Sequence, residues 1–381
     1  MAAGLAAAAV ALGVTQLAAA FFSPAADART AVGTSVINLT PGPVKEWAIQ
    51  TFGTSDKTFL TVMVVVVISA LIAVAAIWER ARIPLGTAVL VAAGVAGSVA
   101  VLNQPGGRVV DLVPTILGTV CGVAVVRMLT KTAPTSAVPQ TDPPQTDPAG
   151  PNPDRRRSLL TLGLLGFGAI SGVGGTVLTR NRRSVAGDRE AFTLPKITSP
   201  APPIPPGVQP AGADLPSFIT SNADFYRIDT ALSVPQLARE NWKLRIHGMV
   251  DREITYTFAD LAGFEVIERP VTLTCVSNPV GGELISNAMW TGYRVRDLLK
   301  RSGIRPDADM VLSTSSDGFT AGTPVEALTD NREAMLAVGM NGVPLPVEHG
   351  YPARLVAPGR YGFVSATTWA VGLEVTRFDR A

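Results

Sequence analysis

Thr272-Leu273-Thr274-Cys275-Val276-Ser277-Asn278-Pro279-Val280-Gly281-Gly282 joins a β-rich run to a glycine-rich turn and holds the only cysteine outside a strongly apolar segment. A thiol at the end of a strand, entering a turn, is placed to offer its sulfur to a ligand in a cleft. Beyond the apolar N-terminal part there is no second cysteine, so Cys275 forms no intrachain disulfide there. Nucleophile, metal ligand and packed core thiol remain open. Around this stretch, Trp242-Lys-Leu-Arg-Ile-His247 alternates like a half-buried strand, and Val271 to Thr274 and Leu373 to Thr376 are rich in β formers. Thr257-Phe-Ala-Asp-Leu261 and Val295-Arg-Asp-Leu-Leu-Lys300 read as short helices. Residues 214–381 therefore read as one mixed α/β domain. They contain no glycine-rich nucleotide loop, which argues against a nicotinamide or nucleotide enzyme.

Moving outward, the 381 residues are 47% apolar, and most of that excess lies before residue 180. Runs at about 2–22, 58–78, 84–102, 112–130 and 159–178 are nearly uncharged. Each is close to the ~20 residues that span a bilayer. The sequence thus predicts up to five transmembrane helices, the first of which also reads as a signal-like segment. Cys121, inside the fourth run, reads as a small packing residue. Arg80 and Arg82 lie between spans two and three, and Arg127, Lys131 and Arg155-Arg156-Arg157 between spans four and five. The positive-inside rule puts both loops in the cytoplasm and everything after about residue 180 outside it. Arg180, Arg182 and Arg183 after the last span run against this orientation.

The segmentation that follows is a helical region over 1–130, a Pro-rich cytoplasmic linker over 131–157, a fifth span over 158–180, a second Pro-rich linker over 181–213 and the globular domain over 214–381. The second tract reads either as a spacer that holds the domain off the membrane or as an extended arm lying on the domain's surface. A net charge of +2, with no interleaved basic and aromatic residues, gives no reason to expect a nucleic acid.

Three stretches, Thr272 to Leu299, Val311 to Ala327 and Asn341 to Trp369, resemble the sulfite-oxidase family of molybdopterin enzymes. The resemblance rests on Thr274-Cys275-Val-Ser-Asn278, Trp290-Thr-Gly292, Ser316-Asp317-Gly318-Phe319, Asn341-Gly-Val-Pro344 and His349-Gly350-Tyr-Pro352-Ala-Arg354, continued by Pro358-Gly359-Arg-Tyr361-Gly362-Phe363-Val-Ser365-Ala366. Arg156-Arg157-Ser158-Leu159-Leu160 resembles a twin-arginine signal, which exports proteins already folded around a cofactor. An ordinary basic anchor is the plainer reading, and both give the same topology.

The family resemblance implies an α+β fold: N-terminal transmembrane helices followed by a sulfite-oxidase-type domain that holds molybdenum-molybdopterin. It implies that Cys275 is the protein's ligand to molybdenum and the catalytic thiolate. His349 and Arg354 fall at positions that grip the pterin, Arg354 on its phosphate. Asn222, Phe225 and Tyr226 match the segment passing under the pterin, and Ser313, Thr314, Ser365, Thr367 and Thr368 are further cofactor-binding candidates. Thr368 stands where many relatives have Lys, which removes an expected anion contact. His247 reads as structural.

The implied activity is two-electron oxygen-atom transfer to or from a small molecule, sulfite oxidation or sulfoxide reduction, with a haem or quinone as electron partner. The implied location is the cytoplasmic membrane, with the catalytic domain outside. Relatives continue past the position of Ala381, commonly into an immunoglobulin-like dimerisation domain that adds to the substrate pocket, so the resemblance carries neither dimerisation nor a complete pocket to this chain. The alternative reading is a truncated, non-catalytic membrane scaffold or pterin-binding protein.

Overall fold

The computed structural model describes residues 1–52, 56–79, 84–130, 153–209 and 216–380. Arg80, Arg82, Lys131 and residues 131–152 of the expected cytoplasmic linker lie outside the described residues. The chain divides into two units, Met1–Arg183 and Ser184–Ala381.

The first unit is helical: α1 (Ala2–Ala19), α2 (Ala28–Leu39), α3 (Gly42–Phe52), α4 (Asp56–Trp78), α5 (Leu85–Leu102), α6 (Val113–Thr130) and α7 (Pro153–Arg183). Five helical segments are long and apolar enough to cross a membrane, by length and composition: Ala2–Ala19, Lys57–Trp78, Leu85–Leu102, Val109–Thr130 and Arg155–Glu190. Alanine, the strongest helix former, dominates α1, and α1 packs against α4, α6 and α7. It can do so closely because glycines meet it. A Cβ on Gly13 would lie 2.1 Å from the Gly168 carbonyl oxygen, so backbones touch where larger residues would hold them apart.

Helix α7 begins at Pro153, ahead of the three arginines, and ends at Arg183. Its length, about 46 Å at 1.5 Å per residue, exceeds one hydrocarbon core and accommodates arginines at both ends. Each end satisfies a neighbour's terminal carbonyls. Arg157 donates to the Leu129 carbonyl of α6, and Arg183 donates to the carbonyls of Ala19, Phe22 and Ser23 at 2.8, 2.9 and 3.0 Å. Asp27 caps α2 by accepting from the amides of Arg29 and Thr30 at 3.1 and 3.3 Å.

The second unit holds strands β1 (Lys243–Gly248), β2 (Ile254–Thr257), β3 (Val266–Thr274), β4 (Ile285–Arg294), β5 (Met310–Ser315), β6 (Thr320–Pro324), β7 (Met335–Met340), β8 (Val343–Pro344), β9 (Arg354–Val356) and β10 (Ala370–Thr376), with short helices α8 (Ala186–Glu190), α9 (Val295–Ser302), α10 (Val325–Thr329) and α11 (Gly362–Ser365). One sheet runs β2-β1-β10-β5-β6; the other runs β3-β4-β7-β8, with β9 also on β7. Among these strands only β1 and β10 pair in parallel.

Strand β7, Met335-Leu-Ala-Val-Gly-Met340, is buried at every position because both of its faces are covered. Leu336 and Val338 join Leu244, Ile246, Leu299 and Leu373 in a core between the sheets; Met335 and Ala337 join Trp290, Leu273 and Tyr351 on the other face. Helix α9 buries Val295, Leu298, Leu299 and Ser302, the i, i+3, i+4, i+7 stripe of an amphipathic helix. The expected helix at Thr257-Phe-Ala-Asp-Leu261 is instead the end of β2 followed by a 3-10 turn over Ala259–Gly263, because Asp260 accepts from the Thr257 amide and hydroxyl at 2.7 and 2.6 Å and fixes the turn locally.

Residues assigned by composition to the second linker are built into this unit. Arg189 donates to the carbonyls of Leu345 and Pro344 at 2.8 and 2.9 Å, Asp188 pairs with Arg239 at 2.8 Å, and Ser199 bridges Ile267 of β3. Residues 184–199 are thus an arm on the domain. Leu373 is fully buried at the centre of the inter-sheet core. Leu373→Ala should lower the stability of this unit by about 2–5 kcal/mol. That loss would appear as an earlier urea midpoint followed by hydrogen exchange in β10, and an unshifted midpoint would remove Leu373 from the core.

Candidate active site

Cys275 follows the last residue of β3 and starts the turn into β4. Its amide donates to the Leu284 carbonyl at 2.9 Å, and its own carbonyl accepts from the Asn278 amide at 3.0 Å, so the turn is closed on both sides of the thiol. The residue is 8% exposed. Tyr226 lies near it: burial pushes the Tyr226 phenol up to about 12, opposed by the Arg354 charge and reinforced by Cys275. At neutral pH this phenol stays protonated. A Cβ on Gly362 would stand 3.1 Å from the Tyr226 hydroxyl and 3.7 Å from the Thr274 carbonyl oxygen, so α11, the 222–226 segment and the end of β3 converge there.

Asn222, Phe225 and Tyr226 are held by the sheet's edge. The Tyr226 amide donates to the Ser286 hydroxyl at 3.2 Å, and the Phe225 ring meets those of Tyr226, Trp290 and His349 at 5.5, 5.6 and 5.5 Å. His349, 4% exposed, is 3.1 Å through Nε2 from the Asn222 carbonyl oxygen; that acceptor selects the tautomer with hydrogen on Nε2. Burial, then the Arg354 charge, lower its basicity, so it is neutral at pH 7.

Arg354 begins β9 behind these groups. Nη1 donates to the His349 carbonyl at 3.0 Å and Nη2 to the Ala366 carbonyl at 3.1 Å, while the guanidinium lies 5.0 Å from the Trp290 ring centre. Nε is buried with no partner, and among the described residues no carboxylate lies within ion-pair distance of it. Burial lowers the pKa of this group to about 10, which still leaves it charged at neutral pH. Asp229 acts on it only at longer range, and a buried cation without an ion-pair partner is costly. A ligand carrying phosphate fits that deficit.

The other candidates behave differently. The Ser313 hydroxyl donates to the Ala321 carbonyl at 3.0 Å and lies 2.7 Å from the Thr367 hydroxyl; Ser365 lies 3.5 Å from Thr323, whose hydroxyl donates to the Val364 carbonyl at 2.5 Å. These buried hydroxyls partner one another. Thr314, next along β5, faces the opposite side of the sheet, against Gly372, and Thr368 is half-buried beside the left-handed Trp369 (φ 49°). Asn341, quoted above only as part of a motif, holds the 220–226 segment in place. It adopts φ 52°, accepts from the Met289 amide at 2.8 Å, and donates to the Thr220 carbonyl at 2.9 Å and the Asn222 side-chain oxygen at 2.8 Å. The Asn341-Gly342 dipeptide, a common left-handed turn pair, was the available signal. Among the described residues no three His, Cys, Asp or Glu side chains gather as a metal site.

One mixed and one antiparallel sheet, with a buried cation and a strand-end thiol that both lie near Tyr226, frame a candidate cofactor-binding site. Residues 231–381 match the oxidoreductase molybdopterin binding domain, and this part of the chain belongs to that family, of the sulfite-oxidase type, with molybdopterin as its cofactor. Similar curated proteins include nitrate reductase [NADH] 1 of Oryza sativa subsp. japonica, 32% identical over 172 residues, covering 38% of this chain and 19% of the relative. The uncharacterized oxidoreductase YuiH of Bacillus subtilis is 31% identical over 136 residues, 36% of this chain and 66% of that protein. The chain thus spans about a fifth of the plant relative and just under two thirds of the bacterial one. Among solved structures, the sulfane dehydrogenase SoxCD from Paracoccus pantotrophus is similar with a TM-score of 0.40 and 26% identity, over 43% of this chain and 45% of that one.

The pH response of the site follows from His349. Its folded pKa is depressed, so the unfolded imidazole takes up a proton below about 6.5 while the folded one resists it. The unfolded state then binds more protons, and the stability tied to a neutral His349 is lost as pH falls below that value. His349→Gln should flatten the stability profile of the cofactor-free protein below pH 6.5, measured by urea unfolding; an unchanged slope would place the proton uptake elsewhere.

Proposed function

We propose that this chain is a membrane-anchored molybdenum-molybdopterin oxidoreductase that carries out two-electron oxygen-atom transfer on a small molecule. The observation that carries the reading is Arg354. Its buried guanidinium, with Nε unpartnered, sits within the matched domain beside His349 and Tyr226, and Tyr226 in turn lies near Cys275. The bound cofactor supplies the oxygen-atom and electron chemistry. Cys275 is the protein's thiolate ligand, since molybdenum favours soft sulfur donors and no other cysteine belongs to this unit. Arg354 holds the phosphate, His349 and Asn222 fix the adjoining loop, and the protonated Tyr226 hydroxyl is a neutral donor in the site.

The five apolar helices anchor the protein in the cytoplasmic membrane, with the oxidoreductase unit on its outer side. The electron partner is a haem or a quinone. Both histidines of the chain, His247 and His349, lie in the second unit, so residues 1–183 offer no imidazole to a haem.

Two measurements test the reading. Purified wild-type protein should carry both molybdenum and pterin. Cys275→Ser, nearly isosteric, should stay folded and keep pterin but lose more than about a hundredfold in oxygen-atom transfer, since even outer partners of a metal ligand are worth 10–100-fold. Wild-type turnover in that variant would sink the assignment. For topology, a reporter fused after residue 145 should read as cytoplasmic and one after residue 215 as extracytoplasmic; equal behaviour would mean that α7 does not cross the membrane.

A further inference from the structure

The first unit contains a cleft that the oxidoreductase reading does not use. It lies among α1, α2, α4, α5 and α6, with a cavity volume of about 90 Å³, and its walls are mostly aliphatic. Thr115 lines it, is 5% exposed, and its hydroxyl has no hydrogen-bond partner among the described residues. One turn further on, Thr119 shows the ordinary helical arrangement, donating to the Thr115 carbonyl at 2.7 Å. Gln16, 7% exposed and also in the lining, donates one long bond of 3.5 Å to Asp27, which leaves its second amide hydrogen for another acceptor. Thr15 and Arg29 also line the cleft, Arg29 beside Asp27 at 3.8 Å, so Thr115 and Gln16 are the buried donors with capacity to spare in a mostly aliphatic wall.

That pattern selects its occupant. Buried donors without acceptors favour a ligand that brings acceptors, and a hydrocarbon chain brings none. Gln16 is close to the end of α1 and Thr115 to the start of α6, so the donors lie near one end of the bundle, at the level of a membrane-water interface. The ligand must be apolar in its body, with a carbonyl at its leading edge. A cavity of about 90 Å³ is smaller than the roughly 150 Å³ that encloses benzene, so a ring enters by one edge while the rest lies against the half-exposed Val32, Val64 and Val65.

We propose that this cleft binds the head group of a lipid-soluble quinone, with Thr115 and Gln16 donating to one ring carbonyl. Its role as electron partner rests on the oxidoreductase function proposed above; its binding does not, and the two are separable.

The test uses the full chain in lipid nanodiscs, made with and without molybdenum. An azido-benzoquinone with a decyl tail is photo-crosslinked, and unlabelled decyl benzoquinone and n-decanol compete. Labelling should fall on α1 and α6 in both preparations and be displaced by the quinone alone. Thr115→Val keeps the shape and removes the donor, and should weaken competition about threefold to tenfold. Ala93→Phe, from the same lining, should abolish labelling. Displacement by n-decanol as effective as by quinone would make the cleft an acyl groove and overturn the proposal, as would unchanged competition in Thr115→Val. Failure of the wild-type protein to take up molybdenum, with labelling intact, would leave this site standing and count only against the oxidoreductase reading.

Discussion

A buried guanidinium without a carboxylate at ion-pair distance is the constraint on which the second unit's candidate site depends. Arg354 gives its two Nη groups to the carbonyls of His349 and Ala366, and so pins together the loop before β9 and the end of α11. Trp290 supports the cation from β4, and the same ring meets Phe225, so the 222–226 segment is packed against the residue that Arg354 leans on. His349 is oriented in turn by the Asn222 carbonyl. The charge is retained where an apolar residue would be easier to bury, which makes physical sense when an anionic cofactor completes it.

The two units solve the burial problem differently. In the second, sheets stack and β7 feeds both cores, so large side chains such as Trp242, Trp290 and Trp369 fill the space. In the first, helices approach through glycine and alanine, as at Gly13 and Gly168, and large apolar side chains such as Val66 and Leu71 point outward. Outward apolar surface on helices of this length is what lipid tolerates and water does not. Inside the bundle Asp27 caps α2, Arg183 meets the end of α1 and Thr87 donates to Glu79, whereas the Thr115 hydroxyl has no partner among the described residues.

Much of this was legible in the chain itself. Apolar run length located the five helices, alternation located β1, and the Cys275, Asn341 and His349 motifs pointed to a molybdopterin domain, because strand period, span length and turn chemistry are local properties. Composition also suggested a linker through residue 213, since Pro-rich sequence lacks periodicity, yet the arm over 184–199 is fastened by Arg189, Asp188 and Ser199 to partners about 50 to 160 residues away.

Distance along the chain also hid the division among the site candidates. Asn222, Phe225, Tyr226, His349 and Arg354 gather together, whereas Ser313, Ser365 and Thr367 turn their hydroxyls to internal partners and Thr314 faces away. Which of two adjacent strand residues looks inward depends on register against β10, a pairing made across about sixty residues. The sequence by itself determined the residue types, the local elements and the cofactor class; only the tertiary structure decided that Arg354 has no ion-pair partner and that Asn341 carries the 220–226 segment, because an unpartnered guanidinium nitrogen and a bridging amide exist only once distant segments have been brought into contact.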